Sequence, residues 1–306
     1  PTASTPRLAR GAATVILKPM ETLPSIRTDD GGFALIQLDQ VESVAAQFRF
    51  NLETEQGQTQ LSAWKDLVIT QLSSEASGVL IDPTSGFSAV PDIAPETGVL
   101  FRLEKIGHGQ QLPYPPRLLP NWGVEYVGNN FGVAKIEMWY HPREEKALEK
   151  KQFLAELAEY CRFEGVELCL ILRIFDPEQP EVAHAIPENH PADQLMAAQE
   201  LSPLVSLIAL EYPEQPLHAA TLTAELDTPW VLVNERFSEQ YRQEQHPGGV
   251  YARFKQQLRD ALESGADGFL AGSVLWADLH EFRAEDMTFR WDQVQQFLET
   301  TARDRV

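Results

Sequence analysis

Only two cysteines, Cys161 and Cys169, occur in the 306 residues. Two thiols cannot form a disulfide framework, and neither their number nor their spacing suits a zinc site. Buried, reduced thiols of a cytoplasmic protein are the expectation. No apolar run approaches the ~20 residues needed to span a bilayer. The N-terminus carries no basic region followed by an apolar core and a cleavage site, so no signal peptide is expected. Basic residues are scarce as well: 25 Lys and Arg stand against 45 Asp and Glu, for a formal net charge of −20. Such a field repels phosphate backbones and anionic lipid headgroups, which argues against nucleic acid and membrane as partners. It also disfavours a bisphosphate unless local basic groups override it. No Gly-rich dinucleotide loop follows a candidate strand, and no cofactor or metal is expected.

What is present is ordinary globular material, 43% hydrophobic and 23% charged, enough for one large α/β domain or two smaller ones. The most informative stretch is Val133–Pro142. On one face of this β-prone run stand Lys135, Glu137 and Trp139; on the other stand Ala134, Ile136, Met138 and Tyr140. Side chains alternate across a strand, so one face is charged and the other apolar. Residues 143–161 then place Leu148, Phe153, Leu154, Leu157, Ala158 and Cys161 at helical spacing. A strand with a polar inner face, a turn at His141-Pro142 and an amphipathic helix make one repeat of a barrel with a working interior.

The same alternation recurs along the chain. Residues 1–28, rich in Pro, Thr, Ser and Ala, read as an N-terminal arm, and residues 29–306 as one domain. Strands are predicted over 33–38, 78–81, 99–103, 133–140, 166–175, 205–211, 230–234 and 268–272. Helices are predicted over 41–50, 64–73, 122–129, 143–161, 192–201, 251–263 and 291–301. Eight short strands alternating with helices over about 270 residues match a single (β/α)₈ TIM barrel of the α/β class.

In such a barrel the working residues sit at the C-terminal ends of strands. Those ends carry Asp39 and Gln40, Asp82, Glu104 and Lys105, Lys135 and Glu137, Arg173, Glu211, Asn234 and Glu235, and Ser273. Any one of them fits a capped strand end; together they describe a polar pocket. Of the seven histidines, His141 at the mouth of the fourth strand is the one candidate proton carrier, against the plainer reading of a loop histidine before proline.

These motifs, in this order, carry a resemblance. Gly32-Phe33-Ala34 leads to Leu38-Asp39-Gln40, and Leu80-Ile81-Asp82-Pro83 is followed by Gly86. Next come Glu104-Lys105-Ile106-Gly107, Ala134-Lys135 with Trp139-Tyr140, and Leu210-Glu211-Tyr212-Pro213. Pro229-Trp230-Val231-Leu232 and Gly265–Gly272 with Trp276 complete the set. Over residues 26 to 280 the chain resembles the class I tagatose-1,6-bisphosphate aldolases and the related sulfofructosephosphate aldolases. The resemblance implies a TIM barrel, carbohydrate metabolism and, since such enzymes are often oligomeric, a homodimer.

The resemblance also implies where the chain departs. The family's Schiff-base lysine stands two residues before the glutamate of a K-x-E-x-P pattern; here that position is Ala209. The acid/base glutamate on strand five corresponds to Ile171. The phosphate cradle, a Ser-x-Gly turn and a Gly-Arg pair, corresponds to Asn234-Glu235-Arg236 and Gly272-Ser273. Positions similar to the family's substrate contacts are retained at Asp39, Gln40, Glu104, Lys105, Lys135 and Glu211.

Three readings follow. The first is a non-aldolase homologue that binds a carbohydrate-like small molecule or has a regulatory or structural role, its protein partner unknown. It rests on Ala209, Ile171 and Ser273, with Gln40, Glu104, Lys105, Glu211, Asn234, Arg236 and Ser273 lining the ligand site. The second is an active carbohydrate aldolase acting on a ketose or ketose phosphate. Its Schiff base would be relocated to Lys135, aided by Glu137 and Asp39, and would require Lys135 to titrate low. The third is a metal-dependent enzyme with Asp39, Glu137 and Glu211 as oxygen ligands, which the lack of clustered histidines weakens.

Overall fold

The computed structural model describes residues 23–105, 114–179, 187–234, 249–276 and 284–304. Eight strands close into one barrel in sequence order: β1 (Phe33–Leu38), β2 (Gly78–Ile81), β3 (Gly98–Arg102), β4 (Val133–Trp139), β5 (Leu168–Arg173), β6 (Leu207–Leu210), β7 (Trp230–Val233) and β8 (Gly268–Ala271). Every pairing is parallel, and β1 pairs with β8 through Phe33↔Gly268 and Leu35↔Leu270. This is the (β/α)₈ barrel that the alternation predicts.

The helices among the described residues are α1 (Glu42–Phe48), α2 (Glu55–Leu72), α3 (Val124–Asn129), α4 (Ala147–Glu164), α5 (His190–Leu201), α6 (Pro216–Glu225), α7 (Gly249–Glu263) and α8 (Ala284–Asp304). Three differ most from expectation, among them α8, which begins seven residues ahead of its predicted start at 291. α2 begins nine residues ahead of its predicted start, because Thr54 caps it by accepting a hydrogen bond from Gly57 N at 3.1 Å. α6 has no predicted counterpart; its first turn holds Pro216, which suits a helix start, and it buries only Ala219 and Leu222. So narrow an apolar face leaves little periodic signal.

The strand faces divide the core in two. Ala34, Ile36, Ile136, Met138, Leu170 and Leu210 point outward into the layer packed by the helices. Phe33, Leu35, Leu80, Leu100, Val133, Cys169, Leu207 and Leu270 point inward and fill the barrel's lower half. Leu23 and Ile26, which the sequence places in the arm, join this inner cluster at 1% and 0% exposure. They lie on either side of Pro24 in a 3₁₀ turn (Pro24–Ile26) that packs on β3 and stoppers the barrel's N-terminal end. A methyl group at Gly98 would sit 2.0 Å from Ser25 O, so glycine is what lets the stopper's backbone lie against β3. Residues 1–22 lie outside the described residues.

Both cysteines are buried and reduced. Burial pushes each thiol up to about 12, as expected of inert core sulfur. No described helix is long and apolar enough to cross a membrane.

Candidate functional site

Above the apolar filling, alternation brings a second set of inward positions to the C-terminal ends of the strands. From β1 come Gln37 and, just past its end, Asp39. From β3 come Arg102 and Glu104, from β4 Lys135 and Glu137, from β5 Arg173, and from beyond β6 Glu211. All except Glu137 are buried, and Glu137 is 16% exposed at its side chain.

Asp39 is the hub of the first group. Its Oδ2 accepts from Lys135 Nζ at 2.6 Å, its Oδ1 accepts from Gln37 Nε2 at 3.0 Å, and its backbone carbonyl accepts from Arg102 Nη1. Lys135 Nζ donates a second bond to Glu104 Oε1 at 2.5 Å and lies 3.7 Å from Glu137 Oε2. Burial disfavours the Lys135 ammonium, but Asp39, Glu104 and Glu137 outweigh it and hold its pKa above the ordinary lysine value. The low titration that a relocated Schiff base would need is therefore not found. Burial likewise disfavours the Asp39 carboxylate, yet Lys135 and Arg102 keep its pKa below the usual value. Glu104 goes the other way: burial, with the Asp39 charge beside it, outweighs Lys135 and raises its pKa.

Arg173 organises the second group. Its Nε donates to Glu137 Oε1 at 3.0 Å, and its Nη1 donates to Glu211 Oε1 and to Asn234 O, each at 2.9 Å. Burial opposes the guanidinium charge, but Glu211 and Glu137 prevail and hold its pKa up. One side chain thus ties the tops of β4, β6 and β7 to its own strand. Beneath it lies a different surface. Ile171, Ala209 and Val231 are paired neighbours across β5, β6 and β7, all 0% exposed and all in the inner apolar cluster. The interior at this level is polar on the β1–β4 side and apolar on the β5–β7 side.

After β7 and β8, where TIM barrels often hold phosphate, Asn234 Oδ1 accepts from Gly272 N at 3.2 Å and Asn234 Nδ2 donates to Ser273 Oγ at 3.2 Å. The backbone N–H of Gly272 is thus already engaged by a side chain. A further buried pair, Lys65 and Asp82, joins α2 to the end of β2, with Thr84 and Ser85 also bonding Asp82.

The structure brings together Asp39, Glu104, Lys135, Glu137 and Glu211, and it brings Asn234 to Ser273. Gln40 is half-buried with a buried Oε1. Lys105 is exposed, its backbone N bonded to Arg117 O at 2.7 Å, so strand alternation turns it away from the group. Arg236 lies outside the described residues. His141 is fully buried: its Nδ1 accepts from Arg143 N at 3.1 Å and its Nε2 lies 3.3 Å from Asp193 Oδ2 on α5. It belongs to a rim cluster with Glu144 and Lys150. The three carboxylates of the metal reading face cations instead, and no group of three or more His, Cys, Asp or Glu suited to a metal occurs among the described residues. Sequence reasoning did not single out Gln37 or Arg102. Their signal was available: both lie on the inward alternation of strands whose ends were already suspected.

No family model matches the chain. Curated relatives do. It is 24% identical over 270 residues to tagatose 1,6-diphosphate aldolase 2 of Enterococcus faecalis, covering 82% of this chain and 81% of that one. It is 24% identical over 301 residues to tagatose 1,6-diphosphate aldolase 1 of Streptococcus pyogenes, covering 89% and 93%. The chain is a remote homologue of the class I aldolase barrels. Among solved structures, an archaeal fructose 1,6-bisphosphate aldolase superposes with a TM-score of 0.63 at 14% identity, covering 90% of this chain and 96% of that one. The fructose-bisphosphate aldolase of Slackia heliotrinireducens gives 0.63 at 14%, covering 92% and 90%. At these identities the superpositions establish the barrel of this remote homologue and nothing finer.

Proposed function

We propose that this protein is an aldolase-like barrel that binds a small polyhydroxylated, carbohydrate-like molecule without forming a Schiff base. The observation that carries this reading is the state of Lys135, the lysine among the strand-end carboxylates of the described residues. Lys135 is an ammonium engaged by Asp39 and Glu104 with Glu137 close by. A Schiff base needs a neutral amine with its lone pair available, and three carboxylates oppose loss of the proton. The position two residues before Glu211 supports the same conclusion from the other side, since Ala209 lies in a buried apolar layer with Ile171 and Val231.

The remaining polar groups suit a ligand that both donates and accepts hydrogen bonds. Carboxylates from β3, β4 and β6 alternate with Lys135 and Arg173 around the interior, an arrangement that hydroxyl groups satisfy better than a single strong charge does. Engagement of Gly272 N by Asn234 further supports a ligand that does not place a phosphate there.

Borohydride trapping tests the proposal. The protein is incubated with dihydroxyacetone phosphate, ketose phosphates and unphosphorylated ketoses, reduced, and mapped by peptide mass spectrometry beside an aldolase that reacts. The expected result is no adduct on any lysine. A reduced adduct on Lys135 would establish the relocated-lysine aldolase instead.

A further inference from the structure

Two aromatic side chains stand almost wholly in solvent at one corner of the barrel: Phe131 is 91% and Phe163 is 81% exposed. Phe131 lies between α3 and β4, and Phe163 lies in the last turn of α4. The Tyr160 hydroxyl donates to Glu125 on α3, and a methyl group at Gly128 would sit 3.1 Å from Val166 Cγ2. The C-terminal end of α4 therefore runs beside α3, and Tyr126 and Tyr160 add exposed rings from the same two helices. Phe131 also holds a backbone φ of +54°. That left-handed conformation is disfavoured for a bulky side chain, and glycine or asparagine would take it at less cost. A strained phenylalanine facing water contributes nothing to the barrel core; backbone strain of this kind marks a place where the side chain is used.

Area and charge decide what the surface fits. The two phenylalanines leave on the order of 300 Å² of apolar surface open. A stable association between two copies buries roughly 800 Å² on each partner. The surroundings also oppose self-pairing. Glu156 and Glu159 stand at helical spacing from Tyr160 and Phe163, and Glu125 adds a third carboxylate from α3, against Arg162 on α4. Two such faces brought together would set like charges against each other. The occupant that fits is short, apolar at its centre and cationic beside it.

The chain itself carries such a segment. Residues 1–22 hold Val15-Ile16-Leu17 and Met20, with Arg7, Arg10 and Lys18 against one acid, Glu21, in a protein of formal net charge −20. They join the described residues close to the patch. Ser25 packs on Gly98, where a methyl group would run into its carbonyl oxygen, and Val99 follows Gly98. A methyl group at Gly132, the neighbour of Phe131, would in turn lie 3.1 Å from Val99 O. Eight residues lead from Val15 to Leu23, a reach of up to about 26–29 Å, which is ample for that short step. We propose that residues 15–20 dock their apolar side chains on Phe131 and Phe163, with Lys18 and the two arginines against the acidic rim of α3 and α4. A segment tethered beside its site has an effective concentration in about the millimolar range, so a small contact suffices. The patch lies at the N-terminal end of the strands, opposite the polar strand ends, and the proposal is independent of the ligand-binding reading.

Hydrogen exchange of the full chain, read by mass spectrometry, tests it. Amides of residues 15–20 are expected to exchange about tenfold or more slowly than in a synthetic peptide of residues 1–22. Phe131→Asn combined with Phe163→Ser should return them to the peptide rate. Both positions are exposed and asparagine accepts the left-handed backbone, so an unchanged melting temperature is expected to report that the double variant is folded. Lys18→Glu should reduce the protection severalfold by reversing the charge that faces the acidic rim. Peptide-rate exchange of residues 15–20 in wild type would overturn the proposal, as would full protection in the folded double variant. A wild type that sediments as a dimer, with a monomeric double variant, would also overturn it, because a second copy would then be what covers the patch.

Discussion

Lys135 Nζ lies 2.6 Å from Asp39 Oδ2, and neither side chain has any exposure to solvent. The two residues are 96 positions apart in the chain, on β4 and at the end of β1, and they meet across the barrel interior. A buried pair of this kind contributes little net stability when intact, but removing one partner leaves a charge stranded.

Lys135→Met is therefore expected to destabilise the protein by about 3–5 kcal/mol, since Asp39 and Glu104 lose their shared cation. Asp39→Asn/Lys135→Met should recover part of that loss. Urea denaturation of the three proteins checks both statements, and a Lys135→Met variant as stable as wild type would contradict the pairing.

Arg173→Lys should also be costly, because an ammonium cannot reach Glu137, Glu211 and the Asn234 carbonyl together as the guanidinium does. A loss of about 2–4 kcal/mol is expected. A variant with unchanged denaturation midpoint would show that the tie across β4, β6 and β7 is not needed.

The pH dependence has a defined sign. Glu104 has a folded-state pKa raised above the ordinary 4.5, so the folded protein binds the extra proton. Its contribution is fully present below 4.5 and is lost as pH rises through the folded value. Glu104→Gln keeps the neutral form at every pH. The melting temperature of this variant, relative to wild type, should rise with pH from about 4.5 upward and then level off. Asp39 has a lowered folded pKa, so its contribution is present above the ordinary 3.8 and disappears on acidification through the folded value. A pH-independent difference between Glu104→Gln and wild type would refute the assignment to Glu104.

The stopper at the barrel's lower end can be tested twice. Ile26→Ala removes a fully buried side chain from the inner cluster and should cost about 2–5 kcal/mol. Gly98→Ala should destabilise by a different route, pushing a methyl group into the Ser25 carbonyl. Thermal unfolding measures both, and tolerance of Gly98→Ala would show that Pro24–Ile26 does not pack as described.

Cys161 and Cys169, with thiols pushed up to about 12 by burial, should be inert to a disulfide reagent at pH 8 in the native protein. Both should react fully in denaturant. Stoichiometric native labelling would contradict their burial.

Much of this was legible without coordinates. Strands of period two alternating with amphipathic helices are local features, and eight of them in one chain determined a parallel barrel. The strand-end rule then pointed to Asp39, Glu104, Lys135, Glu137 and Glu211, because alternation alone decides which side chains face inward. Pairing was not legible. Whether Lys135 stands alone with a depressed pKa or among carboxylates depends on which strand ends meet: β3 pairs beside β4, and barrel closure brings the end of β1 across to it. Closure also decided that Leu23 and Ile26 stopper the barrel and that Asn234 engages Gly272 N. Gln37 and Arg102 escaped notice for the same reason: each is an ordinary polar residue in its own strand. They acquire chemical meaning only where the fold buries them around Asp39.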